Sequence, residues 1–287
     1  MAYSTNPDDG VRIYHQEEGA GSPLAMINGW TANAEMWRDS GFVDELADHH
    51  QLVMIEPRGH GRSGKPHDPD AYARATDVRD VLAVLDDLGI DRAHILGYSM
   101  GGGIAFNVGR RAPERVRSLI IGGAGPLRPS ELFLWLVSTG AEGTLELFDD
   151  AMRASGGELS ESARSLLAGN DVDALLGRYL SQGFVPDDVL AAMPVPALFF
   201  AGTEDPLHAL AERAAGRMPN ASLVSLEGMD HIQASMPPAT ELVMPRIKEF
   251  LTKVDSEVAS ATGWSDGAMR RGGSGRSRKG GRLVSSA

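Results

Sequence analysis

The chain has 287 residues, of which 42% are hydrophobic, and a formal net charge of −12. This length suffices for one sizeable core with a modest insertion, and no apolar run approaches the ~18 residues of a membrane span. The absence of cysteine excludes disulfides, thiolate catalysis and cysteine-based zinc sites, while the acidic balance argues against nucleic-acid binding. The polar start lacks the apolar core of a secretory leader, and together these features favour a cytoplasmic location.

Short apolar runs alternate with amphipathic stretches along most of the chain. Apolar residues recur at spacings of three and four over residues 78–88 and again over residues 247–254, which predicts a helix in each range. Continuous apolar strands separated by helices are typical of a mostly parallel sheet that helices cover on both faces, so the predicted fold class is α/β. The predicted strands are residues 11–16, 24–27, 52–55, 93–96, 116–121, 197–201 and 222–226.

The alternation stops between residues 126 and 193, where no strand-like run occurs. An all-helical insertion in an α/β chain predicts a small lid over one end of the sheet, with a largely apolar lining. The sheet-forming core is thereby divided into residues 1–125 and 194–254. Residues 255–287 carry six basic side chains and three acids in a Gly/Ser-rich context, which predicts a disordered tail. The helices predicted in the insertion are residues 130–138, 144–154, 160–167 and 172–180.

Residues 97–101 read G-Y-S-M-G and match the G-x-S-x-G pattern of a nucleophile held on a sharp strand-to-helix turn. The motif directly follows a predicted buried strand and precedes a stretch typical of a helix. Positions two before and two after the nucleophile are crowded in such a turn, and Gly97 and Gly101 carry no Cβ there. The turn also places the Met100 amide at a helix N-terminus, where an anion can bind. We therefore predict Ser99 as the nucleophile of a hydrolase.

With this motif in place, residues 10–254 resemble the α/β-hydrolase family. Residues 56–63, E-P-R-G-H-G-R-S, resemble the loop after that family's fourth strand, with Glu56 where Asp is usual. Residues 28–30, N-G-W, resemble its oxyanion segment, with Asn28 in place of the usual His. The resemblance implies a mostly parallel sheet flanked by helices, with a helical lid inserted in it.

The resemblance also implies the remaining site residues. The family's base lies in a loop after the last strand, and among eight histidines only His231 follows the last predicted strand and precedes the terminal helix. The acid follows the preceding strand, where Glu204 and Asp205 compete, and the family's Gly-x-x-Asp spacing selects Asp205. Its oxyanion donors are backbone amides, here those of Trp30 and Met100.

Such a site implies hydrolysis through an acyl-enzyme, and our first interpretation is a carboxylic esterase for small uncharged substrates. A lactonase is close behind, because residues 28–37 resemble the enol-lactone hydrolases. Carbon–carbon bond hydrolases, thioesterases and perhydrolases use the same residues and stay open, as does a hydrolase-fold receptor that binds ligand with little turnover. We expect no cofactor, no metal, and no nucleic-acid or membrane partner. The expected partner is a small ester or lactone, and the oligomeric state is left open.

Overall fold

The computed structural model describes residues 2–125, 170–171, 174–175 and 185–262. The strands in these ranges are β1 (Ala2–Thr5), β2 (Arg12–Glu18), β3 (Ser22–Ile27), β4 (His50–Ile55), β5 (Ala93–Tyr98), β6 (Val116–Gly122), β7 (Ala197–Gly202) and β8 (Ala221–Leu226). The helices are α1 (Met36–Asp39), α2 (Phe42–Leu46), α3 (Arg74–Asp87), α4 (Met100–Arg111), α5 (Asp187–Ala191), α6 (His208–Arg217) and α7 (Ala239–Thr262). Short 3₁₀ turns lie at Pro69–Tyr72, Pro113–Arg115 and Gln233–Ser235.

The strands form one sheet in the order β1-β2-β4-β3-β5-β6-β7-β8. β2 pairs antiparallel with both of its neighbours, whereas β4, β3, β5, β6, β7 and β8 run parallel to one another. This sheet confirms the predicted α/β-hydrolase type of fold. Each predicted strand is present, and β1 is an addition. Because β1 is a four-residue edge strand with a single buried side chain, its sequence carries no apolar run that would reveal it.

Both faces of the sheet are buried, as the continuous apolar strands predict. Successive residues of a strand point to opposite faces, so Ile95 packs with α3 and α4 while Leu96 packs with α2 and α7. Two hydrophobic clusters therefore sandwich the sheet. Because β5, β7 and β8 are parallel, their carboxyl ends lie at the same edge of the sheet, and the loops that follow them meet there.

The predicted insertion falls largely outside the described residues, and its four predicted helices lie there or extend into that part of the chain. Its described pieces are residues 170–171 and 174–175 and the segment from 185 that contains α5 and leads into β7. Helix α7 continues to Thr262, so it includes residues 255–262, which the sequence assigned to the tail. Within the described ranges, no helix is both long and apolar enough to cross a bilayer.

Candidate active site

Ser99 lies on the sharp turn between β5 and α4, with φ of 53° and ψ of −117°. It is one of two non-glycine residues with positive φ in the described ranges. Such a conformation is strained and persists only where its surroundings hold it. The Ser99 amide donates to the Gly122 carbonyl at 2.8 Å, and its carbonyl accepts from the Gly103 amide at 3.1 Å. These bonds fix the serine at the carboxyl edge of the sheet.

The glycines on either side of the serine leave room for this turn. A Cβ added at Gly97 would overlap the carbonyl of Gly101, and one added at Gly101 would overlap the carbonyl oxygen of Ile27 on the neighbouring strand. Both obstacles are backbone atoms, which cannot swing aside as a flexible side chain could. The tight approach of β5, α4 and β3 therefore requires glycine at both positions, as the crowding of the turn predicts.

The structure brings together the serine, the histidine and the carboxylate that the sequence selects. His231 follows β8, and its Nε2 lies 2.9 Å from the Ser99 Oγ. Its Nδ1 lies 2.7 Å from Oδ2 of Asp205, which follows β7. The Asp205 side chain is fully buried, whereas 28% of the His231 side chain is exposed. Oδ1 of Asp205 also accepts the Leu207 amide at 2.8 Å, so both carboxylate oxygens are engaged.

Tyr98 contacts His231, and no motif in the sequence predicts this contact. Its hydroxyl donates to the His231 carbonyl at 2.5 Å, and its ring centroid lies 5.4 Å from that of the imidazole. Burial, followed by the nearby carboxylates of Asp205 and Asp230, raises the pKa of the Tyr98 hydroxyl far above its ordinary value. The hydroxyl therefore remains protonated, and it is a permanent donor to the histidine loop.

The turn after β3, residues 28–34, runs beside the serine. A Cβ at Gly29 would lie 3.6 Å from that of Ser99, so the backbone of this turn passes close to the nucleophile. Asn28 is fully buried, and its Nδ2 donates to the carbonyls of Gly29 at 3.0 Å and Ala32 at 2.8 Å. Asn28, which replaces the family's usual histidine, thus stabilises the turn through two hydrogen bonds to its own backbone.

Glu56, at the second departure from the family pattern, ties this turn to the loop after β4. Its side chain is buried, with Oε1 accepting the Ala34 amide at 3.1 Å and Oε2 accepting the Arg62 amide at 2.5 Å. A Cβ at Gly61 would overlap the same carboxylate, so the loop must carry glycine there. The longer glutamate is accommodated because it bridges two backbone segments instead of facing solvent.

The predicted oxyanion donors lie on the two segments that flank Ser99. Met100 is the first residue of α4, and the N–H groups of a helix's first turn have no partner within the helix. Trp30 follows Gly29 in the 28–34 turn and is partly buried. Of the two carboxylates that competed in the acid loop, Asp205 faces His231 while Glu204 is exposed.

Comparison with known proteins shows which proteins this chain is similar to. A family model described as alpha/beta hydrolase fold matches residues 22–156. The chain is 38% identical over 116 residues to the 2-hydroxymuconate semialdehyde hydrolase of Pseudomonas sp. (strain CF600). The aligned residues cover 40% of this chain and 41% of that protein. The chain spans about two fifths of the length of the first curated relatives that it matches.

Two longer matches extend over most of the chain. It is 27% identical over 281 residues to the non-heme chloroperoxidase of Streptomyces lividans, covering 85% of this chain and 97% of that protein. A hydrolase structure from Pseudomonas aeruginosa PA01 superimposes with a TM-score of 0.75 at 25% identity, covering 87% of this chain and 97% of the other. Both matches cover more than four fifths of this chain and nearly all of the other protein.

Proposed function

Because this chain belongs to the α/β-hydrolase family, we propose that it is a serine hydrolase that cleaves carboxylic esters through an acyl-enzyme intermediate. One observation carries this proposal. A serine in a strained turn lies 2.9 Å from His231 Nε2, and the other ring nitrogen of that histidine lies 2.7 Å from the buried Asp205. An ordinary serine needs such a base to become a nucleophile.

In the proposed reaction, the Ser99 Oγ attacks the ester carbonyl carbon while His231 Nε2 takes its proton. Asp205 accepts the Nδ1–H bond, holds the imidazole in the correct tautomer and stabilises the imidazolium. The amides of Trp30 and Met100 stabilise the negative charge that develops on the carbonyl oxygen. The alcohol then leaves with the proton from His231. Water, deprotonated by the same nitrogen, attacks the acyl-enzyme and releases the acid.

The surroundings of the serine favour small, uncharged acyl groups. Trp30, Met100 and Leu207 adjoin the predicted oxyanion segment, nucleophile and acid in the chain, and their side chains carry no charge. A carboxylate buried among such side chains without a paired cation is costly. The net charge of −12 further disfavours the approach of anionic substrates. Neutral short-chain aryl or alkyl esters are therefore the preferred substrates of the proposed enzyme.

A lactonase is the second candidate, because residues 28–37, which resemble the enol-lactone hydrolases, form the 28–34 turn beside Ser99 and the start of α1. Carbon–carbon bond hydrolysis, thioester hydrolysis and perhydrolysis use the same three side chains, and ligand binding without turnover is the non-enzymatic alternative. The proposal includes no cofactor and no nucleic-acid or membrane partner. It places the protein in the cytoplasm, since a chain without cysteine suits a reducing compartment.

A substrate panel tests this proposal. Purified protein is assayed on p-nitrophenyl esters of increasing chain length, on small lactones and on thioesters, with Ser99→Ala as the blank. We expect short esters to be hydrolysed and Ser99→Ala to lose several orders of magnitude in kcat with an unchanged circular dichroism spectrum. Ser256→Ala, which alters an exposed serine on α7, is the matched control and should retain full activity.

Two further variants separate the competing carboxylates within the same assay. Asp205→Asn should lower kcat by roughly 10³–10⁴, because the imidazole loses the partner that orients it. Glu204→Gln should change it less than about tenfold, since an exposed charge has only a weak effect. Equal activity in Ser99→Ala and the unaltered protein would contradict the proposal, and turnover of lactones alone would select the lactonase.

A further inference from the structure

The 28–34 turn contains the second strained residue of the described ranges, Thr31, with φ of 66°. A β-branched residue rarely adopts this conformation, so contacts around it must hold it. From within the core, Asn28 closes the turn, and Glu56 binds the Ala34 amide that ends it. The hydroxyl of Thr31 also donates to the Trp30 carbonyl at 2.6 Å. These contacts hold the side of the turn that faces the sheet.

Two described pieces of the insertion, residues 170–171 and 174–175, contact the opposite side of the turn. Asn170 Nδ2 donates to the Thr31 carbonyl at 3.2 Å, and the indole Nε1 of Trp30 donates to the Leu175 carbonyl at 3.3 Å. The Leu175 side chain is fully buried. One segment therefore contacts both the strained residue and the residue whose amide is the proposed oxyanion donor.

Asp171 joins these residues to one another and to the loop after β4. Oδ1 of Asp171 accepts the Ala174 amide at 3.1 Å, and the Leu175 amide donates to the Asp171 carbonyl at 3.0 Å, so these hydrogen bonds join the two described pieces. Oδ2 of Asp171 lies 2.9 Å from His67 Nε2. Burial alone would raise the pKa of Asp171, but the bond to His67 and that to the Ala174 amide hold it below its ordinary value. The carboxylate is therefore charged at neutral pH, and it joins the segment to the loop that carries His67.

From these contacts we propose that Asn170 is a positioning residue for the oxyanion hole. By binding the Thr31 carbonyl it keeps the strained turn, and with it the Trp30 amide, directed at the oxyanion. The inference rests on the proposed function, since it assigns Asn170 to the same reaction. It makes a described piece of the insertion part of the machinery that stabilises the transition state, in addition to any role in covering the substrate.

Steady-state kinetics of Asn170→Ala and Asn170→Asp on a short activated ester test the inference. Asn170→Asp keeps the shape but turns an acceptor toward the Thr31 carbonyl, so it should be impaired at least as strongly as Asn170→Ala. We expect kcat to fall about tenfold, less than the 10²–10³ that the loss of an oxyanion donor costs, with KM changed less than about twofold. Asn220→Ala, which alters an exposed asparagine on the turn before β8, should match the unaltered protein.

A second readout does not depend on activity. In ¹H–¹⁵N spectra the indole N–H signal of Trp30, assigned with Trp30→Phe, should shift and exchange faster with solvent in Asn170→Ala, because the segment bearing the Leu175 carbonyl loosens. An unchanged kcat together with an unchanged indole signal would overturn the inference, as would a rise in KM with kcat intact. If the unaltered protein hydrolyses no ester, the proposed function fails, and the indole signal still decides whether Asn170 holds the turn.

Discussion

Two Ser–His–Asp arrays occur among the described residues, and only one of them has a partly exposed histidine. In the second array, His94 Nδ1 lies 2.7 Å from the Ser118 Oγ, and its Nε2 lies 3.0 Å from Oδ1 of Asp255. Ser118 and His94 are both fully buried, and Ser118 lies within regular strand β6. The array at Ser99 differs in its strained turn and in the partly exposed His231. Residue types and distances therefore do not define a site without access to the nucleophile.

The side-chain amide of Asn28 gives a prediction at the scale of a single residue. Asn28→Asp replaces a donor that binds two carbonyl oxygens with a buried carboxylate facing them, so it should destabilise the protein by about 1–3 kcal/mol. The same change should lower kcat, because the 28–34 turn carries the proposed oxyanion donor. Urea unfolding and steady-state kinetics measure the two effects.

Asn33→Asp is the matched control for this variant. Asn33 lies in the same turn, but its Oδ1 accepts the Glu35 amide at 2.9 Å, a role that a carboxylate fills equally well. We expect its stability and activity to be close to those of the unaltered protein. A comparable loss in both variants would mean that any added charge disturbs the turn, and the role assigned to the Asn28 donor would then be wrong.

At the scale of elements, the sequence predicted those features whose causes are local. The elbow is recognisable because strand, glycine, serine, glycine and helix follow one another within a few residues. Ala34, one of the two backbone partners of Glu56, lies 22 residues away in the chain, and the His231 partner of Tyr98 lies 133 residues away, so no local pattern could reveal those two contacts. The sequence predicts an end of α7 at Val254, eight residues too early, because the Ser- and Ala-containing stretch that follows resembles the tail, although Val258 continues the apolar spacing.

Asp255 joins helix α7 to the sheet through its hydrogen bonds. We expect these contacts to make the free energy of unfolding depend on pH. Oδ1 of Asp255 accepts the Ser22 hydroxyl at 2.9 Å and Arg117 Nη1 at 3.0 Å, and it lies 3.0 Å from His94 Nε2. Burial alone would raise the pKa of Asp255, but these partners, His94 first, lower it from 3.8 to about 2. A carboxyl with a lowered pKa stabilises the fold above its unfolded value, and that stabilisation is lost as the pH falls from 3.8 towards about 2.

Asp255→Asn should therefore destabilise the protein at neutral pH by roughly 2 kcal/mol, and the difference should shrink as the pH falls towards 2. Urea unfolding at pH 7 and at acidic pH measures the two values. Glu257→Gln, an exposed acid two residues further along α7, should change the stability only slightly at either pH. A loss for Asp255→Asn that is independent of pH would indicate packing and not charge.

At the scale of the whole molecule, the extent of α7 decides where the chain can be shortened. Residues 263–287 contain few apolar side chains, chiefly Trp264, Leu283 and Val284, so the sequence predicts that they bury little surface. Ending the chain after Thr262 should leave the melting temperature and the activity nearly unchanged. Ending it after Val254 removes Asp255 and the last two turns of α7, and it should lower the melting temperature by several degrees. Equal losses in both would mean that the tail docks on the body.

The distribution of charge over the molecule leads to a prediction about substrates. Residues 255–287 contain six basic residues and three acids, which gives a formal charge of +3. Because the whole chain carries −12, residues 1–254 carry −15. A dicarboxylic half-ester approaches this acidic body against repulsion, and burying its free carboxylate without a paired cation is costly. We expect kcat/KM to be highest for acetyl and propionyl aryl esters and clearly lower for half-esters of the same length.

Added salt should narrow that difference in kcat/KM, because screening weakens the repulsion of the half-esters and leaves the neutral esters unaffected. A preference for the half-esters at any salt concentration would contradict the proposed preference for uncharged substrates and favour an enol-lactone hydrolase, whose substrate carries a carboxylate.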